Sequence, residues 1–155
     1  DKYELAEEYA KEALDIYMEL LGEKHMTTTI MMDNLGVVYG NTGRYEKAAE
    51  LYEKALDIRK ELYGKEHPEN TTTLQSISIL SMQTGKNDKA EKAIDEALSI
   101  FSKKYSENHI DLADAHSHKA NLSHLVNKTD LAEEHYKQCI SMYRIRKIVI
   151  VRLLS

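Results

Sequence analysis

The chain has 155 residues, of which 42% are apolar and 30% charged, with one proline and six glycines. This composition is typical of one folded domain and excludes a disordered or collagen-like chain. The last twelve residues carry four cations and no acid, so the net charge of −5 becomes about −9 over the first 143 residues. Such an acidic body disfavours nucleic acid and anionic membrane surfaces as partners.

The sequence also limits where the protein works. No apolar run reaches the roughly 18 residues that a membrane-spanning helix needs, and the first residues lack the pattern of a signal peptide. The single cysteine, Cys139, cannot form an internal disulfide, which fits a reducing compartment. We therefore expect a cytoplasmic protein.

Apolar residues at spacings of three and four predict an all-α chain. Glycines such as Gly22 and Gly43 mark helix ends, and three threonines at 27–29 offer N-capping hydroxyls to the second helix. Because the loops are short, we expect successive helices to pack antiparallel. The predicted helices are 1–21, 27–41, 43–63, 69–84, 86–105, 110–125 and 130–146.

A repeat of 42 residues organises the chain. The stretch GRYEKAAELYEKALDIRKELYGKEH, residues 43–67, recurs at 1–25, at 85–109 and, more weakly, from Asn127. A period of this size indicates stacked helix pairs. Because the chain begins on the second half of a unit, we expect it to be part of a longer array. The repeat aligns small residues (Ala6, Ala48, Ala90, Ala132; Ala13, Ala55, Ala97, Cys139) and apolar ones (Leu14, Leu56, Leu98, Ile140; Ile16, Ile58, Ile100, Met142).

The stretch MDNLGVVYGNTGRYEKAAELYEKALDIRKELYGKEHP, residues 32–68, resembles a tetratricopeptide repeat of the 42-residue form found in kinesin light chains. The residues that carry the resemblance are Asn34, Leu35, Gly36, Tyr39, Gly43, Tyr45, Ala48, Tyr52, Ala55, Gly64, His67 and Pro68. The resemblance implies helix pairs stacked into a right-handed superhelix of about seven helices. Residues 1–143 would form a half repeat plus three helix pairs, and residues 144–155 a basic, apolar tail or helix extension.

The resemblance also implies a concave groove, lined by the first helix of each pair, that binds a peptide of a partner protein. The groove positions carried over are Ile30, Asp33, Asn34, Val37, Asn41, Thr72, Gln75, Ser76, Ile79, Gln83, Asp114, Ser117, His118, Asn121 and His124. Amide side chains can donate to and accept from a peptide backbone. Because Ile30, Asp114 and His118 replace the cations that hold a ligand carboxylate in some relatives, we expect a neutral or basic peptide.

The third unit departs from the pattern. His116 and Lys119 stand where the second unit has Leu74 and Ile77, so its packing is expected to differ. Asn127 replaces the turn glycine, which left-handed backbone geometry tolerates.

Other candidate chemistry is weak. His116, His118 and His124 lack the partners of a tetrahedral metal site, so we predict no metal and no cofactor. The recurring loop histidines (His25, His67 and His109) are interpreted as structural, and Cys139 as a small buried residue. Since no nucleophile motif or phosphate-binding loop is present, the chain is not expected to be an enzyme, although a parent chain could carry a catalytic domain elsewhere.

Three interpretations of the tail RIRKIVIVRLLS stay open: a continued helix or cap over the last face, a contact with another molecule, and a non-native sequence. The leading functional hypothesis is a protein–protein interaction scaffold. The alternative is a structural segment that forms homo-oligomers through its tail or end helices.

Overall fold

The computed structural model describes residues 2–104 and 110–154. Within these ranges the chain forms seven helices and no strand. The helices are α1 (Lys2–Leu21), α2 (Met26–Asn41), α3 (Tyr45–Tyr63), α4 (Asn70–Gln83), α5 (Asn87–Lys104), α6 (Ile110–Leu125) and α7 (Thr129–Leu154). The all-α prediction is confirmed, and most predicted bounds agree within two residues. The predicted helix end at Tyr105 and the loop residue His109 lie outside the described residues.

The last helix is longer than predicted. Instead of ending near Arg146, α7 continues to Leu154, which agrees with the first of the three interpretations of the tail. The assignment of residues 144–155 to a separate segment stays a prediction. No helix in the described part of the chain has the length and apolarity needed to cross a bilayer.

The turns follow the repeat. Gly22, Gly43, Gly64 and Gly85 all have positive φ. Asn127, which is equivalent to Gly43 and Gly85, has a φ of 59°. This is the left-handed region that glycine and, more rarely, asparagine adopt. The prediction that Asn127 adopts the left-handed backbone geometry of the turn glycine is therefore confirmed.

The start of α2 differs from the prediction. His25, not a threonine, is the N-cap residue, and its Nδ1 accepts a hydrogen bond from the Thr27 amide at 3.2 Å. Thr28 and Thr29 are buried and donate their hydroxyls to backbone carbonyls instead, Thr28 to Gly22 at 2.8 Å and Thr29 to Met26 at 2.7 Å. Because the Thr28 and Thr29 hydroxyls bond to these carbonyls, the His25 imidazole accepts from one of the first free backbone amides of α2 in their place.

The helices pack as an array in which each helix lies against its neighbours in sequence. In the described ranges the backbones of α2 and α4, and of α4 and α6, also approach each other, whereas those of α1, α3, α5 and α7 do not. Long side chains bridge the latter set, as in the 2.7 Å ion pair of Lys60 with Glu96. Since α2, α4 and α6 lie closer together, they form the inner side of a curved array.

The small-residue columns form the joints. Ala48, Ala55, Ala90 and Ala97 are completely buried, as the repeat predicted. Apolar side chains are exposed at both ends of the described chain. In α1, Leu5, Tyr9 and Ile16 are 51%, 60% and 45% exposed, and in α7 Ile140 is 48% exposed. The apolar side predicted for α1 is therefore covered only around Leu14, because α1 packs on α2 alone.

Candidate functional site

The inner side of the array is nearly free of charged side chains. Of Asp, Glu, Lys and Arg, α2 contains only Asp33, α4 contains none, and α6 contains Asp111, Asp114 and Lys119. Asp33 and Lys119 are buried. On α2 and α4 the exposed inner surface therefore consists of amide, hydroxyl and apolar groups, and α6 adds two acids.

The first cleft on this side lies between α2 and α4 and has a volume of about 220 Å³. Five of the predicted residues meet here: Val37, Asn41, Ser76, Ile79 and Gln83. Val37 is 45% exposed although it is apolar, and Gly40 leaves the floor without a side chain. We name this feature the α2/α4 cleft.

Tyr52 of α3, one of the residues that carry the resemblance, reaches the same cleft from below. Burial raises the pKa of Tyr52 to about 12, so its hydroxyl stays protonated and can hydrogen-bond to Ser76. Its ring fits because residue 36 is a glycine: a Cβ at Gly36 would stand 2.6 Å from the Tyr52 Cε1 atom. The glycine of the Asn-Leu-Gly motif thus leaves the space that the Tyr52 ring occupies beneath the cleft.

A second cleft, of about 160 Å³, lies between α4 and α6. It brings together three further predicted residues, Thr72, Gln75 and Asp114. The Gln75 Nε2 atom is buried and has no hydrogen-bond partner among the described residues, so it can donate to a ligand carbonyl. Glu69 and Asp111 also line this α4/α6 cleft, which makes it acidic.

Asp33 is placed differently from the expectation. It is only 8% exposed and points into the joint between α2, α3 and α4. Its Oδ2 lies 2.7 Å from Arg59 Nη2 and accepts a hydrogen bond from the Thr73 hydroxyl at 2.8 Å. Burial raises the pKa of the Asp33 carboxyl, and the positive charge of Arg59 and the Thr73 hydrogen bond oppose that rise. Its negative charge is therefore neutralised inside the protein and does not face the groove.

The remaining predicted residues lie on the inner helices but line neither cleft. Ile30 and Asn34 of α2 are exposed, Ser117 and His118 of α6 are half-buried, and Asn121 and His124 are exposed. Two α6 groups are already engaged: the Asn121 side-chain oxygen accepts from the Tyr136 hydroxyl at 2.6 Å, and Asp114 accepts from the Tyr143 hydroxyl.

His118, a half-buried histidine of the predicted groove set, lies on α6. Burial lowers the pKa of His118 and the nearby Asp114 opposes that shift. Its Nδ1 is buried and has no hydrogen-bond partner among the described residues. A neutral imidazole adds no positive charge to the groove.

Sequence reasoning missed Arg59, which holds the joint beneath the clefts. Arg59 is only 2% exposed. Its Nε donates to Thr29 Oγ1 at 2.7 Å, and its Nη1 donates to the Glu69 carbonyl at 3.0 Å. The signal was its spacing, since Arg59 follows Ala55 by four residues on the buried side of α3.

The loop histidines that are described behave as structural residues. His67 repeats the role of His25, with its Nδ1 accepting from the Glu69 amide at 3.3 Å. Over residues 2–104 and 110–154, no three His, Cys, Asp or Glu side chains converge in a way that could hold a metal ion.

Comparisons with known proteins agree with this geometry. A family model described as tetratricopeptide repeat matches three overlapping stretches, residues 1–61, 27–83 and 71–145. No curated protein matches the chain.

Solved structures with the same fold exist at low sequence identity. BtubC (BKLC) from P. vanneervenii is similar with a TM-score of 0.85 and 18% identity over 94% of this chain and 58% of that one. Two structures of nearly identical TPR-like repeats, described as kinesin light chain, from Podosopora anserina have TM-scores of 0.78 and 0.73, both at 18% identity. They match 94% and 91% of this chain, and 68% and 67% of their own. The chain thus spans little more than half of the first of these proteins.

Proposed function

The chain belongs to the tetratricopeptide repeat family, whose members generally act as protein–protein interaction scaffolds, and we propose that it binds a peptide segment of a partner protein along its inner side. The proposal assigns it no catalysis and places it in the cytoplasm. The observation that carries the proposal is the pair of adjacent clefts on the inner side, an uncharged one between α2 and α4 and an acidic one between α4 and α6.

Each cleft suits a different part of an extended peptide. In the α2/α4 cleft, Val37 and Ile79 provide an apolar surface, and Asn41 and Gln83 stand at its rim. A ligand side chain buried against the apolar pair gains roughly 25 cal/mol per Å² of apolar area removed from water. The amides pair with the ligand backbone without regard to its sequence. The α2/α4 cleft therefore favours an apolar ligand residue in an extended segment.

The α4/α6 cleft sets the charge preference. Glu69, Asp111 and Asp114 line it, and the one lysine of α6, Lys119, is buried against Glu91 and Asp95 of α5. A ligand carboxylate would meet acids with no exposed cation on α4 or α6 to oppose them. We therefore expect a neutral or basic peptide, with Asp114 rather than the neutralised Asp33 as the attracting group.

The test is selection of peptides from a random library, followed by affinity measurements by fluorescence polarisation. A triple variant Asn34→Ala, Asn41→Ala and Gln83→Ala removes three exposed inner amides. We expect it to weaken a selected peptide at least tenfold, which is about 1.4 kcal/mol. The matched control is Glu50→Ala with Asp57→Ala, two exposed residues of α3 on the outer side.

The same experiment also tests the predicted charge of the peptide. Selected peptides are expected to be neutral or basic, and the affinity of a basic one should fall with added salt because exposed charges are screened. An affinity that is unchanged in the inner triple variant but lost in the outer control would contradict the groove assignment.

Self-assembly is the second candidate function, and the exposed apolar residues of α7 favour it. Ile140, Ile145 and Ile148 are 48%, 39% and 53% exposed beside Lys137 and Arg144. The mass in solution should then fall to that of a monomer when residues 145–155 are removed or when Ile140→Lys and Ile148→Lys are combined. A wild-type chain that is already monomeric would reject this candidate.

A further inference from the structure

Two histidines face each other inside the third helix pair. His116 of α6 and His135 of α7 are both half-buried, and their Nδ1 atoms lie 2.9 Å apart. His116 is one of the departures of the third unit from the repeat, and His135 occupies the position of Ala93 in the second unit. The corresponding contact in the second unit is apolar, between Leu74 and Ala93 positions that are both buried.

The geometry identifies the kind of contact. The ring centroids are 5.1 Å apart and the ring planes differ by 29°. The centroid distance exceeds the Nδ1–Nδ1 distance by 2.2 Å, which is close to twice the distance from an imidazole centroid to its own nitrogen. Both nitrogens therefore lie nearly on the line between the centroids, and their lone-pair directions point at each other. This is the arrangement of an N–H···N hydrogen bond, and it leaves no point at which both nitrogens converge on a metal ion.

A head-on pair of this kind can hold one proton between its two nitrogens. With one Nδ1 protonated, that nitrogen donates and the other accepts. When both Nδ1 atoms are protonated, two N–H groups face each other and two positive charges lie side by side. Full protonation is therefore incompatible with this contact between α6 and α7.

We propose that the His116–His135 pair makes the α6–α7 joint sensitive to acid, so that mildly acidic pH loosens α7 from the array. Charged groups of both signs surround the histidine pair. Lys119 of α6 is buried nearby and adds positive charge, whereas Glu134 of α7 favours protonation of both histidines and Asp95 of α5 favours protonation of His135. Glu91 of α5 is occupied by Lys119 and Lys128.

The direction of the pKa shifts agrees with this geometry. Burial, followed by the charge of His135, lowers the pKa of His116, and burial lowers the pKa of His135. A histidine whose folded pKa is depressed stabilises the fold above its unfolded pKa of about 6.5 and loses that contribution as the pH falls. Each proton that the folded pair excludes lowers the folded-to-unfolded ratio about tenfold between pH 7.5 and pH 5.5.

The test compares urea unfolding of the wild-type chain and variants at pH 7.5 and 5.5. The main variant is His116→Leu with His135→Ala, the residues that the second unit has at these positions. We expect the wild type to lose at least tenfold more of its folded-to-unfolded ratio than this variant does. His118→Gln is measured separately because burial also lowers the pKa of His118, and His124→Gln, an exposed residue of α6, is the matched control. Equal losses in the wild type and the double variant would overturn the proposal.

A second measurement stays decisive even if the double variant folds poorly. Nitrogen NMR of the wild-type histidines at pH 7.5 is expected to show one protonated and one bare Nδ1 in the pair. Two bare Nδ1 atoms would overturn the shared proton. Stabilisation of the wild type, but not of the double variant, by added zinc would overturn it as well, since the nitrogens would then converge on the metal.

Discussion

The buried ion pair between Arg59 and Asp33 should be the most sensitive point of the fold. We consider the substitution Arg59→Met, which keeps an unbranched stem about as long as the arginine chain up to Nε and removes the charged guanidinium. Arg59 is 2% exposed and its guanidinium contacts Asp33, Thr29 and the Glu69 carbonyl. In the variant, the Asp33 carboxylate keeps only the Thr73 hydroxyl, because its Oδ1 already lacks a hydrogen-bond partner among the described residues.

The magnitude follows from the cost of an uncompensated buried charge. Removing one partner of a buried pair costs about 3–5 kcal/mol, against a total stability of about 5–15 kcal/mol. For a chain of this length the midpoint of thermal unfolding should fall by about 6–20 °C. Urea unfolding followed by circular dichroism measures the loss directly. A cost below about 1 kcal/mol would show that the pair is more hydrated than its burial indicates.

The pH dependence of this variant has a definite sign. Burial already raises the pKa of Asp33, and the variant removes the charge that opposes the rise. A carboxyl whose folded pKa exceeds its unfolded pKa favours folding at low pH and loses that contribution as the pH rises through the folded pKa. The cost of Arg59→Met should therefore be larger at pH 8 than at pH 5.

The second unit offers a control for the whole network. One repeat further along, the positions of Asp33, Arg59 and Thr73 are occupied by Gln75 and Phe101 of the second unit and by Ala115 of the third. A triple variant with Asp33→Gln, Arg59→Phe and Thr73→Ala replaces the ion pair and its hydrogen-bonding threonine by these uncharged residues. Because replacing a buried pair by packed residues is often neutral, we expect a loss of less than about 1.5 kcal/mol. A triple variant as unstable as Arg59→Met would contradict the charge-based explanation.

Two further predictions concern packing, and urea unfolding tests both. Gly36→Ala places a Cβ 2.6 Å from Tyr52, whereas Gly40→Ala places one 3.8 Å from Leu80, so the first variant should be less stable than the second by about 1–3 kcal/mol. Equal stabilities would show that Tyr52 can move away. Ala48→Leu overpacks a completely buried joint and should cost about 1–3 kcal/mol, while Ala6→Leu, at the equivalent position of the repeat but exposed on α1, should change stability little. A similar loss for Ala6→Leu would mean that α1 is covered.

The repeat accounts for why the helices and their joints could be predicted. A period of 42 residues fixes the turn positions, so Asn127 could be assigned a left-handed turn from Gly43 and Gly85 alone. The same alignment identified the small-residue columns, and Ala48, Ala55, Ala90 and Ala97 are completely buried. These features depend on backbone geometry and side-chain size, which every unit must share in order to stack.

Side-chain chemistry that differs between units could not be predicted in this way. Asp33 was expected to face the groove because its helix does, but a partner 26 residues away, Arg59, draws it inward. The threonines at 27–29 were expected to cap α2, but burial gave their hydroxyls other acceptors. The position of Asp33 depends on a tertiary contact that no local pattern encodes, whereas the Thr28 and Thr29 hydroxyls bond to carbonyls six and three residues earlier in the chain.

The polar residues of the interior make the joints between units non-equivalent. If α3 were shifted by one unit into the place of α5, Arg59 would face Gln75 and Ala115 in place of Asp33 and Thr73. Its guanidinium would then be buried without a carboxylate, at a cost of several kcal/mol. At the other end, Lys119 pairs with Glu91 and Asp95 of α5, whereas the equivalent positions on α3 are Ala49 and Glu53. The charges inside the joints thus favour one packing register of units of similar shape. Because Asp33, the one charged residue of α2, is paired inside the joint and α4 has no charged residue, the inner surface of these two helices carries no charge and is available to a ligand.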